Sequence, residues 1–90
     1  MEEKKYQQIM QMGKTSKRFG LGFSEEDFVW INIIEPAGKW GAVIEFHGEL
    51  ITTELIDKDQ TIYVSLEPKH HLYIKQIKNK MIEVGLGFEE

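Results

Sequence analysis

A chain of 90 residues holds one domain, spanning 1–90, and a hydrophobic content of 41% excludes a disordered polymer. The lack of cysteine excludes a disulfide framework and any thiolate metal site. The net charge of −4 argues against a dedicated nucleic-acid binder, but its distribution is uneven: residues 1–18 balance to +3, 19–68 to −8, 69–80 to +4 and 81–90 to −3.

In chain order, residues 2–12 predict a helix. Tyr6, Ile9 and Met10 share a stripe, Glu2 and Glu3 suit the positive end of the helix dipole, and Gly13 is a stop. The same charged, glutamine-rich stretch is neither a signal peptide nor a membrane span, which predicts a cytoplasmic protein with no membrane contact. Gly20-Leu21-Gly22-Phe23, followed by Ser24-Glu25-Glu26, recurs at the other end as Gly85-Leu86-Gly87-Phe88-Glu89-Glu90. Read as strands, these segments put Phe19, Leu21 and Phe23, and again Ile82, Val84, Leu86 and Phe88, on one face. The other face is bare glycine, which predicts a close approach by backbone or a helix.

Phe28 to Ile34 is aromatic and β-branched, with apolar residues on both faces, and predicts a central strand in which Trp30 belongs to the core. Pro36-Ala37-Gly38-Lys39 is turn chemistry. Residues 41–47 alternate, with Ile44 and Phe46 facing one way and Glu45 and His47 the other, and Gly48 marks a turn or bulge. Segments 49–56 and 61–66 predict two more strands across the polar turn Asp57-Lys58-Asp59-Gln60. Pro68 suits a helix start, and Tyr73, Ile74, Ile77 and Met81 supply a helical stripe with His71, Lys75 and Lys78 on its far side. The expected fold is therefore α+β: an antiparallel meander with an N-terminal helix and a second helix before the last strand, α-β-β-β-β-β-α-β.

Chemistry-bearing motifs are few. Gly13-Lys14-Thr15-Ser16 lacks the glycine that a phosphate loop needs five residues earlier, where Gln8 stands. His70 and His71 are adjacent, so they would diverge on a helix, and Gly48 interrupts the face that Glu45, His47 and Glu49 would need to share a metal. There is no Gly-x-Ser-x-Gly elbow and no close carboxylate pair. The sequence thus predicts no enzyme, no cofactor and no metal.

Gly20 to Phe23, preceded by Arg18 and followed by the strand Trp30 to Ile34, with Gly48-Glu49-Leu50 downstream and His71 opening a later element, resembles the carboxylate-binding loop of PDZ domains. The resemblance implies that the amides of Leu21, Gly22 and Phe23 bind a peptide C-terminus and that His71 contacts a peptide side chain. It does not extend over the whole chain. The family's Gly-Asp pair is replaced by Leu55-Ile56-Asp57-Lys58, and the second Gly-Leu-Gly-Phe has no counterpart there.

The functional expectation is a small non-catalytic interaction protein that binds a protein partner or itself, with Trp40, Leu86 and Phe88 as interface candidates. Trp40 stands beside a turn, and the last strand is expected at a sheet edge. The second expectation is a nucleic-acid contact through segments 14–18 and 69–80, with Lys14, Lys17, Arg18, Lys75 and Lys78 meeting phosphates.

Overall fold

The structure, a computed structural model, describes residues 3–11, 18–22, 24–67, 69–78 and 81–89. These form eight strands: β1 Glu3–Gln11, β2 Arg18–Leu21, β3 Val29–Ile34, β4 Gly41–Phe46, β5 Glu49–Thr52, β6 Ile62–Leu66, β7 His70–Lys78 and β8 Met81–Glu89. The only helical turns among the described residues are two short 3-10 segments, Glu25–Asp27 and Pro36–Gly38. The expected α+β class is overturned: the chain is nearly all β.

All strand pairs are antiparallel. One sheet has the order β1-β8-β7-β6 and the other β2-β3-β4-β5. β2 to β5 form a meander and so do β6 to β8, and β8 then pairs back onto β1. The last strand is therefore flanked on both sides and is not the edge that was expected.

Both predicted helices are strands, for identifiable reasons. β1 pairs with β8 from Glu3 opposite Glu89 to Gln11 opposite Met81. A lone helix of this length is marginal in water, whereas pairing gives the backbone of β8 a partner along its whole edge. In β7, Leu72 and Ile74 are buried while His71, Lys75 and Ile77 are exposed. That is a period of two, with β-branched and aromatic residues. The apparent helical stripe mixed the two faces of this strand.

One core lies between the sheets. Leu21, Val29, Ile31, Ile33, Ala42, Ile44 and Phe46 come from one side, and Ile62, Leu66, Leu72, Ile74, Ile82, Val84 and Leu86 from the other. Leu21, Ile82, Val84 and Leu86 do share the apolar face expected of the two Gly-Leu-Gly-Phe segments. Phe23 lies outside the described residues.

The two tryptophans exchange their expected roles. Trp40 is fully buried, its indole Nε1 donates to the Asp57 carbonyl at 3.0 Å, and its backbone exchanges two hydrogen bonds with Ile56 at 2.9 and 2.8 Å. Next to it, Gly41 admits the segment 53–55: a Cβ there would stand 3.1 Å from Leu55 and 3.2 Å from Thr53. Trp30, by contrast, is 41% exposed. β3 buries Val29, Ile31 and Ile33, so only one of its faces is covered.

Candidate functional site

The outer face of the β2-β3-β4-β5 sheet carries the most distinctive surface among the described residues. Register aligns Gly20, Trp30, Glu45 and Leu50 in one row across the four strands, and Arg18, Asn32, Val43 and Thr52 in the next. Strand alternation turns these side chains outward while Leu21, Ile31, Ile44 and Ile51 turn to the core.

Gly20 makes the aromatic arrangement possible. A Cβ at that position would lie 2.7 Å from the Trp30 ring and 2.8 Å from Phe28. The bare glycine face is thus covered by two aromatic rings rather than by a helix. Phe28 and Trp30 meet edge to face with centroids 5.3 Å apart. At Gly22 the approach is by backbone, as the sequence suggested: a Cβ would stand 2.7 Å from the Phe28 Cα and 2.9 Å from the Asp27 carbonyl.

Arg18 closes one side. Its guanidinium carbon lies 4.5 Å from the Trp30 centroid, Nη2 meets the Glu45 carboxylate at 2.7 Å, and Nη1 donates to Asn32 Oδ1 at 3.2 Å. Both charged side chains are substantially exposed, so the ion pair contributes up to about 1 kcal/mol. The ring contact adds about 0.5–1 kcal/mol at such a site. Arg18 is held, but weakly enough to be displaced.

On the other side of Trp30 a depression of about 740 Å³ opens to solvent, lined by Glu25, Phe28, Trp30, Glu45, His47, Gly48 and Leu50. Its far end is set by the two-residue turn between β4 and β5. His47 and Gly48 both have positive φ, 52° and 77°, the signature of a type I′ hairpin. The His47 ring stacks on Phe46, and its Nε2 meets the Glu26 carbonyl. The Glu25–Asp27 turn is itself pinned by a capping box in which the Ser24 amide donates to the Asp27 carboxylate at 2.6 Å.

A second cluster lies where the two sheets meet. His70, at the start of β7, packs 5.0 Å from Phe46, stacks 4.9 Å from Phe88 and stands 6.4 Å from His47. Both of its ring nitrogens are closed off from solvent without a hydrogen-bond partner. Burial holds its pKa below the usual value of 6.5, with His47 and His71 acting in the same direction and Asp27 opposing. Among the described residues, no three His, Asp or Glu side chains are grouped to hold a metal ion.

Trp40 and Leu86 are core residues, so neither presents an interface, and Phe88 is half-buried against His70. Of the proposed phosphate contacts, Lys14 and Lys17 lie outside the described residues, as does the side chain of Lys78. Arg18 is on the outer face of one sheet and Lys75 on the outer face of the other, opposite Glu83. These two cannot share a patch, because the helices meant to align them are strands. Among the peptide-contact candidates, Leu21 is buried and paired with Val29, Gly22 abuts the Asp27–Phe28 backbone, and Phe23 is undescribed. His71 is exposed on a strand, not on a helix.

The sequence reading missed Phe28, Trp30, Glu45 and Leu50 as a group. A signal was present: Trp30 has the same parity as Asn32, and a polar residue at that position marks the solvent face of the strand. Comparison with family models, curated proteins and solved structures finds no match for this chain. Among the described residues, no helix is long and apolar enough to cross a membrane.

Proposed function

We propose that this chain is a small non-catalytic interaction protein that docks a protein partner on the outer face of the β2-β3-β4-β5 sheet. The observation that carries the reading is the adjacent exposure of Trp30 at 41% and Leu50 at 66%, on either side of Glu45. Large apolar side chains grouped on an outer face mark interaction surfaces more often than singly scattered ones do. Tryptophan flanked by arginine is the composition in which binding energy concentrates.

The test is affinity capture with the intact chain and with Trp30→Ser/Leu50→Ser. A partner held by the first and lost by the second, with unchanged circular dichroism, supports the reading. Equal capture by both proteins, or capture by neither, removes it.

A further inference from the structure

The depression beside Trp30 combines aromatic walls with a carboxylate floor. Glu45 stands between Trp30 and Leu50 in the register row, and Glu25 lies at the end formed by the 3-10 turn. Glu26, whose carbonyl meets His47, and Glu49, next to Gly48, flank the same end. At physiological salt, charges further than ~8 Å are largely screened, so these local carboxylates set the potential a ligand meets. The molecule also shows which charge the surface accepts: Arg18 lies over the Trp30 ring and on Glu45 at once. A ring face and a carboxylate presented together select a cation with an apolar stem, which is the description of a lysine or arginine side chain.

We infer that this groove receives an extended, lysine- or arginine-bearing segment of a partner protein, its cationic head on Glu45 and Glu25 and its stem between Trp30 and Leu50, with Arg18 as an internal competitor. The inference deepens the docking reading and rests on it for the face involved. It makes a prediction of opposite signs. Removing Arg18 frees the Glu45 carboxylate that lines the groove, so a basic ligand binds more tightly. Removing the Glu45 charge weakens binding. A misfolded variant cannot produce the first effect.

The experiment is a titration of isotope-labelled protein, read at the Trp30 indole resonance. The probes are capped tetra-arginine and tetra-lysine peptides, with capped tetraglutamate and arginine amide as comparators. The expected result is saturable binding of the two basic peptides alone. Affinity should rise about fivefold in Arg18→Ala and fall by a similar factor in Glu45→Gln, the scale of one exposed ion pair.

Binding of tetraglutamate in place of the basic peptides overturns the inference, and so do affinities that are equal across the variants. Arginine amide binding as tightly as the peptides overturns it in favour of a free organic cation. If the peptides fail while Trp30→Ser/Leu50→Ser still loses a captured partner, the cation chemistry is wrong and the docking face stands. If the peptides behave as stated while capture ignores Trp30 and Leu50, the docking reading is wrong and the cation site stands.

Discussion

Two glycines in this sheet structure act as seats for aromatic rings. At Gly85 an added Cβ would fall 2.0 Å from the Tyr73 ring, which lies directly across the strand pair, since Tyr73 is opposite Gly85. The ring is fixed from above as well: its hydroxyl donates to Glu83 at 3.0 Å and accepts from the Gln7 amide at 3.0 Å. Gly85→Ala should therefore destabilise by about 1–3 kcal/mol, the usual cost of overpacking. Placed in Tyr73→Ser, the same change should cost far less, because the obstructing ring is gone. Urea denaturation of the four proteins of this cycle measures the coupling, and additive losses would show that Tyr73 is not what Gly85 accommodates. His70 makes a second residue-scale prediction. Its folded pKa lies below 6.5, so as pH falls past that value the unfolded chain takes up the proton first. Stability should decline from about pH 7 until the lowered folded pKa is reached, and then lose this dependence. In His70→Phe, where the new ring joins Phe46 and Phe88, the difference between stabilities at pH 7.5 and 5.5 should shrink relative to the parent. An unchanged difference would mean that His70 is not the group responsible.

Among elements, β1 and β7 show where local pattern and tertiary context part. Far-UV circular dichroism should show a β spectrum without the double minimum of α-helix, and a helical signal would refute the two-sheet structure. The five strands from the first Gly-Leu-Gly-Phe segment to Leu66, and the last strand, were legible because β-branched alternation and turn residues agreed there. β7 was not, because Tyr73, Ile74 and Ile77 satisfy a helical spacing by accident. Only the burial of Leu72 with Ile74, set by β6 and β8 on either side, settles the period. β1 has no local signal strong enough to decide, and its conformation comes from the unpaired edge of β8. The candidate site was misread for the same reason. A tryptophan beside a turn looks exposed, but Trp40 is drawn inward by Ile56 and Asp57, seventeen residues and less further on. Trp30 looks like core until the parity of its strand is known.

Across the whole molecule, the first strand closes against the last within one of the two sheets, while β2 to β5 make up the other. Every register pair of β1 is with β8, so this contact spans nearly the full chain length. Contacts of such sequence separation form late, because loop closure must precede them. β1 is therefore the strand expected to join the fold late, and its absence would uncover one edge of β8. Deleting residues 1–11 would leave the backbone of Met81 to Glu89 as an unpaired edge, a template that recruits other chains. The truncated protein is expected to keep its β spectrum at low concentration and to associate more strongly than the intact chain as concentration rises. Light scattering across a concentration series checks this. Adding a peptide of sequence 1–11 should reverse the association by occupying the same edge, which β1 covers over nine residues. A truncated chain that stays monodisperse at all concentrations would show that β8 does not depend on β1 for cover.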